Sequence, residues 1–114
     1  MKSSFFWGFL LISLTTSFSF SQVKGIVADE NNSPLEYATV AIYKQTDKSL
    51  VAGIITDSLG VFTFTNLAKG NYFLKVSFIG YIEKTIIDIS ITNSKNLVNV
   101  GAISLNLGTS LNEV

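Results

Sequence analysis

Residues 57–78 read DSLGVFTFTNLAKGNYFLKVSF, and their alternation decides the fold class. Phe62 and Phe64 point to one side of an extended chain, and Thr63 and Thr65 to the other. Tyr72, Leu74, Val76 and Phe78 then alternate with Phe73, Lys75 and Ser77. A period of two belongs to a half-buried β-strand, because successive side chains leave opposite faces of the backbone. Turn residues bound both runs. In Asp57-Ser58-Leu59-Gly60 the glycine is free to take a positive φ. Asp57 is placed to accept backbone N–H groups across that turn. Asn66 to Asn71, with Gly70 in it, forms the second break.

The same grammar extends in both directions. Val23, Gly25 and Val27 alternate with Lys24 and Ile26 in a first strand, which ends at the turn formers Asp29 to Pro34. A second strand, Ala38 to Lys44, sets Val40 and Ile42 against Thr39, Ala41 and Tyr43. After the polar loop Gln45 to Ser49, Leu50 to Thr56 is a third strand with aliphatic residues on both faces. Beyond Gly80 and Tyr81, Ile87, Ile89 and Ile91 alternate with Asp88 and Ser90 in a sixth strand. Thr92 to Asn96 leads to a last strand near Val98 to Leu107, whose register stays open because both faces carry apolar residues. No stretch shows sustained helical spacing. Seven short strands with frequent turns predict an all-β, antiparallel seven-stranded sandwich. Its expected core is Val40, Ile42, Phe62, Phe64, Leu74, Val76, Phe78, Ile87 and Ile89.

Composition excludes whole classes of chemistry. The 114 residues contain no Cys and no His. A thiol nucleophile, a Ser–His–Asp triad, a thiolate or imidazole zinc site and a disulfide are therefore all impossible. The charges balance, eight basic against eight acidic, and the basic residues are all Lys. Without Arg or a basic block, no nucleic-acid partner is expected.

The first 21 residues read as a signal peptide. Lys2 gives a positive start, Phe5 to Phe20 is uncharged and largely apolar, and Ser19-Phe20-Ser21 offers the small residues that signal peptidase requires. A transmembrane anchor is the competing reading, but the stretch is short and turns Ser/Thr-rich. Cleavage would expose Gln22, and with no Cys there the product is not a lipoprotein. The 93 residues that remain carry seven basic and eight acidic side chains, one negative charge in excess.

Candidate sites divide on chemistry. Asp29, Glu30, Asn31 and Asn32 offer oxygens suited to Ca²⁺ but lack the spacing of a calcium loop, so they are assigned to a solvated turn. Thr56, Asp57 and Gly60 are assigned to turn geometry. Asp57 with Asp88 or Glu83 would supply an acid/base pair only if the fold joined them. Of Tyr37, Tyr43, Tyr72 and Tyr81, Tyr72 belongs to the core by its alternation. Tyr43 and Tyr81 are the expected exposed rings; they could stack on sugars, but packing or rim contacts are the favoured reading. Lys84 and Lys95 are expected to be solvated and to blunt strand edges. No residue is assigned a catalytic, cofactor or metal role.

Five segments together resemble the carboxypeptidase-regulatory-like domain. They are Val23 to Val27, Pro34 to Val40, the hairpin Gly53 to Phe64 with its G-x-x-T-D-x-x-G-x-F pattern, Asn66 to Tyr72, and Val76 to Tyr81. The resemblance covers nearly all of the chain after the leader and implies a transthyretin-like seven-stranded sandwich. The tail Leu105-Asn106-Leu107-Gly108-Thr109-Ser110-Leu111-Asn112-Glu113-Val114 is similar to the segment that comes after this domain in many TonB-dependent outer-membrane receptors. There an L-x-E-V-V-V stretch leads into the plug and then the barrel. The resemblance implies a division into a signal peptide (1–21), a sandwich (22–106) and a linker (107–114) to a plug domain that this sequence does not contain.

Three functions compete. The resemblance favours a non-catalytic periplasmic accessory domain of such a receptor, touching protein partners of the outer-membrane import machinery and meeting the membrane only through the absent barrel. The second is a free-standing secreted module for carbohydrate or protein. The third is a regulatory domain of a secreted peptidase.

Overall fold

The computed structural model describes residues 21–93 and 96–108. The leader up to residue 20, Lys95 and residues 109–114 of the expected linker lie outside the described residues. Seven strands are present among those described: β1 (Gln22–Ala28), β2 (Thr39–Lys44), β3 (Leu50–Ile55), β4 (Val61–Thr65), β5 (Gly70–Ser77), β6 (Lys84–Ile91) and β7 (Leu97–Ser104). They form a sandwich of two sheets, β4-β1-β7 and β3-β2-β5-β6. Among the described residues no helix is long and apolar enough to cross a membrane.

All pairings are antiparallel except one: β1 and β7 run parallel, from Gln22 beside Leu97 to Ala28 beside Ser104. The chain thus closes its first strand against its last. A Gln22 N–H to Asn96 carbonyl bond (2.9 Å) brackets one end of the pair, and a Leu105 N–H to Ala28 carbonyl bond (2.8 Å) the other. Ser21, the last residue of the expected leader, is buried and donates its hydroxyl to the Leu67 carbonyl.

The inner faces meet as the alternation predicts. Val40, Ile42, Phe62, Phe64, Leu74, Val76 and Ile89 are buried, and Phe62 and Phe64 meet edge to face at 6.1 Å. Val23, Val27, Leu35, Ala38, Leu67, Tyr72, Ile91, Ile103 and Leu105 complete the core, with half-buried Phe78 packed against it. Such burial contributes about 1.5–3 kcal/mol for each large apolar side chain, the main stabilising term in a chain without disulfides.

Ile87 corrects the expected core, because it is 60% exposed. The cause is local. Between Tyr72–Ile89 and Leu74–Ile86 the β5–β6 register shifts, and Asp88 takes a φ of 63°. The extra residue on β6 inverts the phase of its first half. Ile86 turns toward the core, Ile87 turns out, and Ile89 and Ile91 return to the interior.

Candidate functional site

The Thr56–Gly60 turn joins both sheets. Thr56 is 2% exposed, and its Oγ1 donates to the Leu35 carbonyl (2.6 Å) while accepting from the Ala38 N–H (2.9 Å). Asp57 Oδ1 accepts the N–H groups of Leu59 and Val61, each at 2.9 Å. Gly60 has a φ of 76°, and a Cβ there would stand 2.5 Å from the Val27 carbonyl oxygen. The Val27 N–H in turn donates to the Gly60 carbonyl (2.8 Å). The three candidate residues of this motif are thus committed to holding β1, β3 and β4 together.

The acidic loop after β1 is built the same way. Asp29 Oδ1 accepts from the Asn31 (2.8 Å) and Ser33 (2.9 Å) N–H groups, and Asn32 sits at a φ of 66°. Such a carboxylate-capped turn commits one of the Asp29 oxygens to the backbone. Among the described residues no three His, Cys, Asp or Glu side chains gather in a way that could hold a metal ion. Asp57 comes after β3 and Asp88 lies on β6, and these two strands are the opposite edges of one sheet. Three inter-strand spacings separate them, about 14 Å, and Glu83 lies beside β6 as well. No acid/base pair forms from these carboxylates.

The tyrosines correct the expectation. Tyr37 is the exposed ring, at 65%, held at a φ of 68°. Tyr43 and Tyr81 are half-buried. Tyr43 stacks on Phe73, with centroids 5.0 Å apart and planes 9° apart, on the outer face of the larger sheet. Tyr81 leans on Phe78 at 5.6 Å. Tyr72 is buried as expected and donates its hydroxyl to the Ala68 carbonyl (2.6 Å). The Nζ of Lys48 stands 5.8 Å from the Phe73 ring centroid, and that of Lys75 stands 5.4 Å from the Tyr43 centroid. These cations cover the ring faces that a sugar would stack on, at a strength of about 0.5–1 kcal/mol each where exposed. Alternation alone assigned Phe73 to the outside. Its near-complete burial, at 8% exposed, comes from Tyr43 directly across on β2.

Two shallow grooves lie on this sheet. One, of about 380 Å³, is lined by Tyr37, Thr39, Ser77, Phe78 and Ile79. The other, of about 270 Å³, is lined by Gln45, Lys48, Phe73, Lys75, Thr85 and Ile87. The first offers hydroxyls without a base, and in the second the Lys48 and Lys75 ammonium groups lie over the aromatic rings. Lys84 is exposed at the start of edge strand β6, as expected, and its Nζ donates to the Ser104 carbonyl (3.1 Å). What the geometry offers is surface: a lysine-flanked aromatic pair, exposed aliphatics and strand edges.

The fold recurs in solved structures of low identity. The Bacillus anthracis TIE protein matches at 22% identity and a TM-score of 0.65, over 76% of this chain and 17% of that one. A streptococcal ancillary pilin matches at 18% and 0.63, over 82% and 34%. Klebsiella pneumoniae 5-hydroxyisourate hydrolase matches at 18% and 0.55, over 81% and 92%. The chain therefore spans well under two thirds of the first two. The likeness is one of fold, and the same fold serves an enzyme and a pilin, so it does not by itself assign function. No curated protein matches the sequence. The family model of the carboxypeptidase regulatory-like domain matches residues 22–105, which takes in all seven strands, and the chain belongs to that family.

Proposed function

We propose that this chain is a non-catalytic, periplasmic accessory domain of a TonB-dependent outer-membrane receptor and acts through protein contacts. The observation that carries the reading is the segment Leu105 to Val114, similar to the stretch that joins this domain to a plug. The leader supplies a route across the inner membrane. The start of the segment suits a junction. The Ile82 N–H donates to the Asn106 carbonyl, Leu107 bridges to Tyr81, and the Gly108 N–H donates to the Gly80 carbonyl, each bond at 2.8 Å. The chain is held to the body as far as Gly108, at the end of the sandwich opposite Gln22. The chemically capable side chains Thr56, Asp57 and Asp29 are engaged in turns, which leaves contact surface as the means of action.

The test is the coding sequence beyond the Val114 codon, together with fractionation of the cell envelope. An in-frame plug and barrel, and recovery of the domain in the outer membrane, are the expected results. A stop codon at that point and a protein released freely into the medium would overturn the reading in favour of a free-standing module.

A further inference from the structure

The sandwich has four strand edges, and three of them are blunted. β4 is only five residues long. β6 carries Lys84 and the positive-φ bulge at Asp88. β7 is bent at Gly101, with a φ of 78° and a register shift opposite Lys24–Gly25, and the Gly101 N–H is already taken by Asn99 Oδ1 at 2.9 Å. Short length, charge and bulges are the usual devices against edge-to-edge pairing. β3 reads LVAGII, without charge or proline, and beyond a register shift at Val51 it is regular to Ile55. Leu50, Val51 and Ile55 are 60%, 39% and 59% exposed.

The direction of its free backbone groups is fixed by one bond. The Thr56 N–H donates to the Ala38 carbonyl (2.9 Å). Alternation along an antiparallel ladder then turns Ile54 and Ala52 toward β2, and Ile55 and Gly53 away from the sheet. We infer that this edge is an interface between two copies of the chain, β3 pairing antiparallel with β3 of a second copy about a two-fold axis near Gly53. The sequence is complementary to its own reverse. Gly53 meets its counterpart on the axis, Val51 lies opposite Ile55, and Ala52 lies opposite Ile54. From Val51 to Ile55 every cross-strand pair is then aliphatic or glycine, and no like charges face each other. The result is a continuous eight-stranded sheet, the isologous contact that two-fold symmetry requires. A six-residue edge buries far less than the roughly 1,200–2,000 Å² of stable complexes, so the pair is weak and reversible.

The experiment is sedimentation equilibrium of the purified protein from about 10 μM to 1 mM, a range suited to a small interface. Amide exchange read residue by residue accompanies it. Self-association is expected across that range, with protection of the Gly53 and Ile55 amides rising with concentration. Gly53→Lys sets two like charges on the axis, and its Cβ has room, since the nearest atom is the Val40 carbonyl oxygen at 3.9 Å. It should lower the association constant at least tenfold and leave the melting temperature of the monomer nearly unchanged. Ile87→Lys on β6 is the matched exposed control and should leave association intact. A monomer at every concentration overturns the inference, as does a dimer that ignores Gly53→Lys. Protection of Gly53 and Ile55 only when another envelope protein is added would also overturn it, and would assign the edge to a heterologous strand.

Discussion

Thr56 offers the sharpest test of how the fold is held. Its hydroxyl satisfies two main-chain groups, the Ala38 N–H and the Leu35 carbonyl, in a place where water does not reach: Thr56 is 2% exposed and Ala38 0%. Thr56→Val keeps the shape and removes both bonds. A buried polar group left without a partner costs about 1–3 kcal/mol, so two cost about 2–6 kcal/mol. The methyl that replaces the hydroxyl returns about 0.8 kcal/mol. The expected loss is therefore about 1–5 kcal/mol, a large share of the roughly 5–15 kcal/mol that holds a domain together. Thr56→Ser keeps both bonds and forfeits one methyl, about 1 kcal/mol. Urea unfolding followed by far-ultraviolet circular dichroism, with the m-value checked for constancy, should rank the proteins Thr, then Ser, then Val. If the valine variant equals or exceeds the serine variant, the hydroxyl is not the bridge described, and the motif's threonine owes its place to something else.

Phe64→Ala should cost about 3–5 kcal/mol as a large-to-small core change, while Thr63→Ala on the opposite face should cost under about 1 kcal/mol. Equal losses in denaturant melts would mean the β4 phase is wrong. The bulge at Asp88 makes a parallel claim for β6. Ile89→Ala should cost about 2–5 kcal/mol and Ile87→Ala less than about 1 kcal/mol, whereas a strand without the bulge would make both costly. The Ser49 hydroxyl, and then its N–H, hold the Asp47 carboxyl below its ordinary value. Because that folded value lies below the unfolded one, the contact favours the fold above the unfolded pKa and loses its effect as pH falls through the folded one. An NMR titration should show the Asp47 midpoint rise in Ser49→Ala, and an unmoved midpoint would contradict the assigned cause.

The inner faces of β2, β4 and β5 were legible because their alternation is unbroken. Val40 and Ile42, Phe62 and Phe64, and Leu74 and Val76 all point where a period of two sends them. Legibility ended at Ile87, because a single residue in a left-handed conformation inverts a strand and a sequence does not spell out φ. The parallel β1–β7 pair was equally hidden, since it joins residues some 75 apart and no turn specifies it. At the level of sites, the T-D-x-x-G turn could be assigned to structure from the chemistry of Asp and Gly alone. The burial of Phe73 under Tyr43, the exposure of Tyr37 and the open edge of β3 depend on which strands become neighbours, and that is a property of the assembled sheet.

The parallel pairing of the first and last strands also has a mechanical meaning. Gln22 enters at one end of the sandwich and the chain departs from the other, with β1 and β7 side by side between them. Tension applied through the two chain ends would slide these strands lengthwise instead of peeling them open. The rungs from Gln22–Leu97 to Ala28–Ser104 would share the load and have to break nearly together. In an array of domains strung end to end, such a unit would be a stiff link that adds roughly 23 Å of length. Pulled through β2 and β3, whose antiparallel ladder opens one rung at a time, the same fold would yield more easily.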